Sequence, residues 1–343
     1  MLPCRHLCTR VPNTLQRTVR NQHLQVVYQS PLFKRAHISV RNDDTTTKIM
    51  RSILNFLGCA ETDLADPNIS VRVLEYYTPI ALYLVHQRSL LSEKPLVVGL
   101  SIPQGGGKTT LADCLKSALK EIDLNVVSIS IDDFYSTHDE LVTLSSKYPD
   151  NIYLRGRGPA GTHDIALGTR TLSSLIRPTT ATSVISVPRY NKAAHGGRGD
   201  RACKTDWMQI ERPVDVVLFE GWSMGFEPVA VHSPTLRSFP GMEIVNQELA
   251  AYAQWHQFLD VAIIARAKAE YVFAWREEAE LSRRAAGTGL SKEQTRAFVQ
   301  RFMPSYQLYA DNLWQRGITG VDRYLRYQLH LSRAPFCNVN SKL

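Results

Sequence analysis

A continuous apolar run of strand length at residues 96–102 is followed at once by the glycine-rich segment 103–110, and then by helical spacing up to residue 122. A strand, a glycine loop and a helix in that order let backbone N–H groups and the positive end of the helix converge on a phosphate. Lys108 is placed to reach the β and γ oxygens of a nucleoside triphosphate, and the hydroxyl of Thr109 to bind Mg²⁺. The segment therefore predicts a triphosphate-binding site in an α/β fold.

The loop departs from the full phosphate-loop pattern at one position, because Ile102 stands where that pattern has its first glycine. The three consecutive glycines still keep the turn open where a phosphate would sit. A glycine-rich turn that merely precedes Lys-Thr is the alternative, and the flanking strand and helix argue against it. We expect the nucleotide to contact Gly105, Gly106, Gly107, Lys108, Thr109 and Thr110.

The rest of the chain alternates between strand-like and helix-like segments. Strands are predicted at residues 126–131, 183–187, 214–219, 261–265 and 325–331. Helices are predicted at residues 47–57, 71–87, 108–122, 247–258, 271–286 and 292–313, the last with Ser291 as its N-cap. Such alternation predicts a three-layer α/β fold with a mostly parallel central sheet and with ligands at the carboxyl ends of its strands.

The formal net charge of +8 is concentrated at the N-terminus, where residues 1–42 contain seven Lys and Arg and no Asp or Glu. The remaining chain has 33 basic and 32 acidic residues, so its near-neutral body predicts no nucleic-acid partner. No apolar run approaches the roughly 18 residues that a membrane-spanning helix needs, so no membrane partner is predicted either.

The two ends of the chain carry conflicting targeting signals. An acid-free, Arg-rich start is typical of an organelle transit peptide, and its few Ser residues favour a mitochondrial over a plastid one. We therefore expect a disordered leader over residues 1–42, and an untargeted basic tail is the alternative. The chain ends Ser341-Lys342-Leu343, a signal read by the peroxisomal import receptor. Dual targeting, or one silent signal, would resolve the conflict.

Two adjacent carboxylates, Asp132 and Asp133, follow the second predicted strand at the edge that holds the glycine loop. Neighbours in an extended chain point to opposite sides, so one of them is expected to face the γ-phosphate. We assign this role to Asp132, as the base that accepts the proton of a substrate hydroxyl during phosphoryl transfer. The alternative is an Asx turn or a cap of the helix predicted at residues 137–147, which suits Asp133 better.

Glu220 directly follows the strand predicted at residues 214–219. A carboxylate at the end of a buried strand beside a phosphate loop is where nucleotide-binding domains hold Mg²⁺, directly or through water. Burying a carboxylate without a partner is costly, so we favour a metal role for Glu220 over a structural salt bridge.

A basic, glycine-rich loop lies between these two strands, at residues 188–201. Its cations include Arg189, Lys192, Arg198 and Arg201. Arg can grip a carboxylate through two parallel N–H bonds, so the loop predicts a site for an anionic substrate. A solvated basic loop is the alternative, and the neighbouring nucleotide site favours substrate binding.

Five segments together resemble one enzyme family. They are residues 103–110, 130–135, 154–164, 188–201 and 219–222. These segments resemble the D-glycerate 3-kinases of the plant and fungal type, a branch of the P-loop kinases related to uridine kinase, phosphoribulokinase and pantothenate kinase. The likeness covers residues 96–335, and its third and fourth segments are more specific than the phosphate loop.

The resemblance implies a P-loop NTPase fold with extra N-terminal and lid helices, and ATP with Mg²⁺ as cofactors. It also implies D-glycerate as the acceptor, and 3-phospho-D-glycerate and ADP as products, as in photorespiratory carbon recovery. The catalytic residues would be Asp132, Lys108 and Arg276, and the metal ligands Thr109 and Glu220. The substrate-binding residues would be Asp133, Tyr135, His163, Arg189, Tyr190, Lys192, Arg198 and Arg201.

Arg276 enters this set because related kinases close a helix over the phosphates. Arg276 and Arg283 share a face of the helix predicted at residues 271–286, so both are candidates for neutralising charge in the transition state. Salt bridges from this helix to Glu277 or Glu280 are the alternative.

The same interpretation divides the chain into four parts. They are a leader at residues 1–42, an N-terminal helical extension at 43–94, a kinase domain at 95–335 and a tail at 336–343.

Two other functions stay open. A P-loop kinase could act on another small acceptor, such as uridine, pantothenate or a pentose phosphate. A nucleotide-dependent switch such as a GTPase is the second alternative. Against it, residues 191–194 lack the Asp of a guanine-reading Asn-Lys-x-Asp motif, and no Asp-x-x-Gly follows the strand at residues 214–219.

Overall fold

The computed structural model describes residues 13–36, 38, 41–178, 182–285, 290–333 and 335–336 of the 343-residue chain. Its strands are β1 (Leu96–Ser101), β2 (Val126–Ser130), β3 (Ser183–Val187), β4 (Tyr190–Asn191), β5 (Asp200–Arg201), β6 (Met208–Arg212), β7 (Val216–Gly221), β8 (Val261–Arg266), β9 (Tyr324–Leu329) and β10 (Pro335–Phe336).

Its helices are α1 (Asn13–Gln29), α2 (Pro31–Arg35), α3 (Asp43–Phe56), α4 (Pro67–Ser70), α5 (Thr78–Ser89), α6 (Lys108–Lys120), α7 (His138–Lys147), α8 (Ile165–Ile176), α9 (Ala194–Gly197), α10 (Pro234–Arg237), α11 (Met242–Glu248), α12 (Ala253–His256), α13 (Ala269–Ala285), α14 (Lys292–Gln300), α15 (Met303–Ser305) and α16 (Asp311–Arg316). Short 3₁₀ helices lie at Glu61–Ala65, Ile131–Phe134, Ile152–Leu154, Lys204–Asp206 and Leu249–Tyr252, and π-helical segments at Val71–Tyr77 and Tyr306–Ala310.

The central sheet has six strands in the order β10-β9-β8-β1-β7-β2. The five strands from β9 to β2 run parallel, and β10 pairs with β9 in the antiparallel sense. β1 and β7 are buried along their whole length because the sheet is covered on both faces. Leu100 of β1 and Ser130 of β2 both pair with Glu220 of β7, so the carboxyl ends of these three strands meet at one edge. The predicted α/β fold with a mostly parallel sheet is confirmed.

Two apolar cores lie on opposite faces of this sheet, because side chains alternate along each strand. On one face, Val98 and Leu100 belong to a core that includes α6 and the N-terminal helices. On the other face, Val97 and Phe219 belong to a core with Trp255 and other aromatic side chains. The strands that lead to the candidate site are therefore held from both sides.

Two small antiparallel sheets lie outside the central sheet. The strand predicted at residues 183–187 is β3, but it pairs with β6 rather than with a central strand. β4 pairs with β5 across the basic loop. The sequence did not predict β4, β5 or β6, because short and partly exposed strands carry little periodic signal.

Some predicted helices are interrupted. The helix predicted at residues 292–313 is divided into α14, α15 and α16 with a π-helical segment before α16, and Pro304 lies in the first turn of α15. Proline removes a backbone donor, so a continuous helix does not pass through this position. The segment predicted at residues 71–87 is a π-helical stretch followed by α5, with Pro79 in the first turn of α5. Ser291 is the N-cap of α14, as predicted.

The N-terminal segment is folded over residues 13–36, which corrects the prediction of a disordered leader. Leu24 and Leu32 are buried in the core that also holds α6. Arg20 of α1 donates a hydrogen bond at 3.0 Å to the hydroxyl of Thr47 in α3. An amphipathic, acid-free helix has the same composition whether it packs on a core or serves as an import signal, so composition alone led to the wrong structure.

A single core joins α1, α2, α3 and α5 to α6 and the sheet, so the extension predicted at residues 43–94 packs on the rest of the fold, and the division into four parts stays a prediction. The predicted signal Ser341-Lys342-Leu343 and residues 1–12 lie outside the described residues. In the part of the chain that the structure describes, no helix combines the length and the apolar character needed to cross a membrane.

Candidate active site

The glycine loop connects the buried β1 to the N-terminus of α6. Gly107 is the N-cap of α6 with a φ of 88°, and Gly105 has a φ of 77°, both in the left-handed region that favours glycine. A Cβ at position 105 would lie 2.5 Å from Cβ of Trp275, so the loop packs there with no room for a side chain. A Cβ at position 107 would meet no atom within 4 Å. The space beside this helix N-terminus is open, as phosphate binding by backbone N–H groups requires.

The other residues of the loop are arranged as the sequence predicts for a phosphate site. Thr109 and Thr110 are exposed in the first turn of α6, where a ligand can reach their hydroxyls. Gly106 is buried, and a Cβ there would lie 2.9 Å from Cγ2 of Ile102. Ile102 is itself fully buried. The position that departs from the full pattern is therefore occupied by a core side chain beneath the loop.

Two contacts from late in the chain hold this loop, and the sequence predicted neither. The N–H of Gln104 donates to the hydroxyl of Tyr306 at 3.0 Å. Nε of Arg333 donates to the carbonyl oxygen of Gly105 at 2.7 Å, and Nη2 of Arg333 pairs with Glu278 of α13 at 2.8 Å. The loop is thus tied to α13 and to the segment after β9.

Asp132 lies in the 3₁₀ helix Ile131–Phe134, directly after β2. Its Oδ2 accepts a hydrogen bond from Nζ of Lys192 at 2.6 Å. Its Oδ1 is buried and has no hydrogen-bond partner among the described residues. Burial alone would raise the pKa of Asp132, but the charges of Lys192 and Lys108 outweigh burial and lower this pKa to about 2. Asp132 is therefore an anion at neutral pH with one oxygen available to a ligand.

Asp133, its neighbour, has different partners. Oδ2 of Asp133 accepts a hydrogen bond from the N–H of Ser130 at 3.1 Å and pairs with Nη1 of Arg189 at 3.1 Å. Burial raises the pKa of Asp133. Asp133 therefore closes the capping box of the 3₁₀ turn after β2 and pairs with Arg189, whereas the N-cap of α7 is Thr137 and not Asp133. The two carboxylates have separate partners in a 3₁₀ turn, not in the extended chain that was expected.

Glu220 lies in β7 between the ends of β1 and β2, and only 6% of it is exposed. Its Oε2 lies 3.9 Å from Nζ of Lys108 and has no hydrogen-bond partner in the described part of the chain. Burial raises the pKa of Glu220 to about 7, although the charge of Lys108 lowers it. A divalent cation would supply the positive charge that this carboxylate lacks, so Glu220 fits a metal role.

A cation at Glu220 would need further ligands from outside the protein. Among the described residues, no group of three or more His, Cys, Asp or Glu side chains could hold a metal ion. Mg²⁺ in nucleotide sites commonly takes one or two protein ligands together with phosphate oxygens and water. Thr109, exposed at the start of α6, is available as a second protein ligand.

His163 and Tyr135 form a buried aromatic pair close to Asp132, whose charge raises the pKa of both side chains. Their rings stack with centroids 4.3 Å apart, and Nδ1 of His163 is hydrogen-bonded to the hydroxyl of Tyr252. Nε2 of His163 is buried without a partner among the residues described. Burial lowers the pKa of His163 to about 4, although the charge of Asp132 raises it, and burial raises the pKa of Tyr135 well above its usual range. Both rings are therefore neutral at pH 7.

The basic loop at residues 188–201 is fixed by an arginine that the sequence did not single out. Nη1 of Arg157 donates to the carbonyl oxygens of Gly197, at 2.9 Å, and Arg198. Nη2 of Arg157 donates to the carbonyl oxygen of Lys192 at 3.4 Å. The side chain of Arg198 is exposed. The loop is thus positioned through its backbone, and Lys192 is the residue that brings its charge to Asp132.

Two further predicted residues of this loop lie next to the aromatic pair. Nη2 of Arg201 pairs with Asp164 at 3.1 Å and donates to the carbonyl oxygen of Tyr135 at 3.2 Å. The ring of Tyr190 packs edge-on against Tyr135 with centroids 5.2 Å apart. Nε of Arg201 and the hydroxyl of Tyr190 are both buried without a hydrogen-bond partner among the described residues.

Arg276 has the structural contacts that the alternative interpretation describes. Its Nη2 pairs with Oε1 of Glu280 at 2.7 Å, and Glu280 is 1% exposed. Its guanidinium lies 4.4 Å from the centre of the Phe298 ring. Glu277 pairs with Arg284. The side chain of Arg283 lies outside what the structure describes. A catalytic role for Arg276 stays a prediction.

Several buried polar atoms at the candidate site lack hydrogen-bond partners among the described residues. The charges of Lys192 and Lys108 lower the pKa of Asp132, and the charge of Asp132 raises the pKa of Glu220. These four groups therefore lie close together. The unpartnered buried atoms around them are Oδ1 of Asp132, Nε2 of His163, the hydroxyl of Tyr190, Nε of Arg201 and Oε2 of Glu220. Buried polar atoms in folded proteins are nearly always hydrogen-bonded, so this cluster fits a polar ligand.

A cavity of about 680 Å³ opens beside the glycine loop, mainly at the carboxyl ends of β8 and β9, and it reaches Trp222 after β7. Its lining includes Ser101, Pro103, Trp222, Arg266, Tyr306 and Trp314. The order of the sheet places β8 and β2 on opposite sides of β1, so this cavity and Asp132 flank the glycine loop.

The glycine loop lies between a central parallel strand and a helix, a lysine starts that helix, and a carboxylate lies at the same edge of the sheet. Together these features define a P-loop nucleotide-binding domain. No family model matches the chain. The chain is 38% identical to chloroplastic D-glycerate 3-kinase of Arabidopsis thaliana over 277 residues, which are 77% of this chain and 60% of that protein. It is 35% identical to the uncharacterized kinase mug58 of Schizosaccharomyces pombe, over 64% of this chain and 83% of that protein.

A solved structure gives the same result. D-glycerate 3-kinase from Cryptococcus neoformans var. grubii superimposes with a TM-score of 0.66 and 31% identity, over 75% of this chain and 96% of that chain. The chain belongs to the D-glycerate 3-kinase family of P-loop kinases, which confirms the resemblance inferred from the sequence. It is therefore an enzyme, and membership of this family implies the use of ATP.

Proposed function

We propose that the protein transfers the γ-phosphoryl group of ATP to the 3-hydroxyl of D-glycerate. The chain spans about 60% of the length of the Arabidopsis kinase, so the activity of that protein is a hypothesis here. The observation that carries the proposal is the bare Oδ1 of Asp132 in a cluster that also contains Lys108 of the phosphate loop. A hydroxyl bound to this oxygen would be held beside the end of a triphosphate.

The phosphate loop would bind the donor through its backbone. Residues 105–110 would direct their N–H groups and the positive end of α6 at the β- and γ-phosphates, and Lys108 would add a full charge. Glu220 and Thr109 would hold Mg²⁺. When bound, this ion supplies charge neutralisation between the β- and γ-phosphate oxygens. The cavity of about 680 Å³ beside the loop would receive the nucleoside part of ATP, mainly on the side away from Asp132.

Asp132 would orient the acceptor hydroxyl and take its proton. Its low pKa makes it a weak base, but phosphoryl transfer proceeds through a loose transition state that needs orientation more than base strength. Lys192, hydrogen-bonded to the other oxygen of Asp132, would leave its cationic head beside the group being transferred. The neutral ring of His163 would use its free Nε2 to hold a second polar group of the acceptor.

An acceptor panel tests this proposal. The purified protein is given ATP, Mg²⁺ and one of D-glycerate, L-glycerate, uridine, pantothenate or ribulose 5-phosphate, and ADP release is followed by a coupled assay. We expect the highest kcat/KM with D-glycerate, and ³¹P NMR should show the phosphate at the 3-position. A higher kcat/KM with any other acceptor, or transfer to the 2-hydroxyl, would overturn the proposal.

A further inference from the structure

Arg301 directly follows α14, and no sequence motif includes it. Its guanidinium lies 5.1 Å from the ring centre of Phe302 and 5.6 Å from that of Phe298. Its Nη2 donates to the carbonyl oxygen of Arg157 at 3.1 Å. Arg301 is therefore held by two aromatic rings and by the segment that positions the basic loop.

The charge of Arg301 is not balanced within the described protein. Among the described residues no Asp or Glu forms an ion pair with it, and its Nε is buried without a hydrogen-bond partner. The pKa of Arg301 is lowered, because burial and the like charge of Arg157 outweigh the opposite effect of Tyr135. By contrast, Arg189 and Arg201 are each paired with an aspartate. Arg301 is partly buried, and a cation in this position with no carboxylate partner can take an anionic ligand that supplies the missing charge.

There is room for a small anion at this guanidinium. A Cβ at Gly156 would meet only Nη1 of Arg301 within 4 Å, at 3.9 Å. At Gly158, by contrast, a Cβ would lie 2.5 Å from Cε1 of Phe302, so the Phe302 ring fills that position. Gly156 thus leaves the Nη1 side of the guanidinium uncovered by a side chain from its segment. Arg157, whose carbonyl oxygen accepts from Arg301, has its own guanidinium 5.7 Å from the ring centre of Tyr190. Tyr190 packs against Tyr135, so Arg301 lies beside the same group of residues.

We propose that Arg301 binds the carboxylate of the acceptor through charge-assisted hydrogen bonds, while Asp132 binds its hydroxyl. This inference rests on the proposed function and names the residue that makes the enzyme select a hydroxy acid over a neutral polyol. A planar guanidinium matches a carboxylate with two parallel N–H bonds, which a lysine cannot do.

Three variants test the inference. Arg301→Met should raise KM for D-glycerate about 10- to 100-fold, the loss expected for a hydrogen bond to a charged group, with KM for ATP and acceptor-free ATP hydrolysis unchanged. Arg301→Lys should recover part of the loss, because it keeps the charge without the paired bonds. Arg296→Gln, which removes an exposed charge from α14, is the matched control, and its KM for D-glycerate should equal that of the wild type.

The neutral amide of the substrate separates a binding role from a structural one. Wild type should prefer D-glycerate to D-glyceramide, and Arg301→Met should lose most of this preference because it has lost the group that recognises charge. A variant that merely folds poorly would bind both acceptors and ATP more weakly, to a similar extent. An unchanged ratio of the two kcat/KM values in Arg301→Met would overturn the inference.

A second position gives an independent test that leaves Arg301 in place. Gly156→Asp should place a carboxylate beside the guanidinium and raise KM for D-glycerate at least about tenfold more than the isosteric Gly156→Asn. Equal values for the two variants would count against the inference. If the wild type phosphorylates D-glycerate but these ratios do not move, the role of Arg301 fails and the proposed function stands. If the wild type does not phosphorylate D-glycerate, both fail.

Discussion

The pKa of Glu220 gives a prediction about stability that does not depend on catalysis. The folded protein raises this pKa from its ordinary value of 4.5 to about 7, mainly through burial. Between these two pH values the folded state holds a proton on Glu220 that the unfolded chain has released. The free energy of unfolding must therefore fall as pH rises through this range. The difference in pKa corresponds to about 3 kcal/mol when titration is complete.

Glu220→Gln removes this titration and keeps the shape of the side chain. At pH 5 the wild-type carboxyl is protonated and the two proteins should have similar free energies of unfolding. At pH 8 the Gln variant should be more stable, by an amount approaching about 3 kcal/mol. The measurement is urea unfolding of both proteins at pH 5, 6, 7 and 8, with Glu211→Gln on the exposed edge of β6 as the control for loss of one charge.

Mg²⁺ and ATP extend the same experiment to the metal role. At pH 8 the wild type should gain stability from Mg²⁺ with ATP, and the Gln variant should gain less, because it has lost the anion that would hold the ion. Unfolding curves that stay parallel from pH 5 to pH 8 would refute the reasoning about burial. An equal gain from Mg²⁺ with ATP in both proteins would refute the metal role of Glu220.

Two other predictions concern parts of the fold. Deleting residues 1–42 should leave the protein insoluble or unfolded at 25 °C, because it strips several side chains from the core at about 1.5–3 kcal/mol each. Gly105→Ala should raise the Kd for ATP at least about tenfold, because its Cβ would lie 2.5 Å from Trp275. Gly320→Ala, which also has a positive φ but no atom within 4 Å of its Cβ, should cost stability alone. Equal ATP affinity in both alanine variants, or a stable protein without residues 1–42, would contradict these expectations.

The central part of the fold could be predicted because its signals are local. The apolar run before Pro103, the three glycines and Lys108 are adjacent in sequence, and burial on both faces makes the strands of a parallel sheet continuous apolar runs. Asp132 and Glu220 could be found because each follows such a run, and parallel strands bring their carboxyl ends to one edge. The parallel direction of the strands indicated their common edge, whereas the adjacency of β2 and β7 does not follow from chain order.

The rest of the site depends on contacts that the sequence does not encode locally. Arg301 and Arg333 lie outside the five segments that resemble the family, and Arg157 lies within one of them without a role of its own. The roles of all three come from tertiary neighbours far along the chain. The 3₁₀ turn that separates Asp132 from Asp133 replaced the extended geometry assumed from strand alternation. Patterns of residue type show which groups are available, whereas partners decide which of them are free to bind a ligand.

The N-terminal helices show that composition has the same limit as a predictor of structure. Seven cations and no acid in residues 1–42 match an import signal. Composition does not report whether the apolar side of such a helix finds a surface to cover. Here Tyr28 of α1 packs in the core with 4% exposure, and its hydroxyl hydrogen-bonds to Asp43 and Thr46 of α3.

The most direct test of the account is a single-turnover measurement on Asp132→Asn. The site predicts that this variant binds ATP with nearly the wild-type Kd, because the phosphate loop is untouched, yet transfers phosphate to D-glycerate about 10²- to 10⁴-fold more slowly. If Asp132→Asn transfers phosphate at the wild-type rate, this would contradict the claim that this carboxylate and the phosphate loop act together on one acceptor.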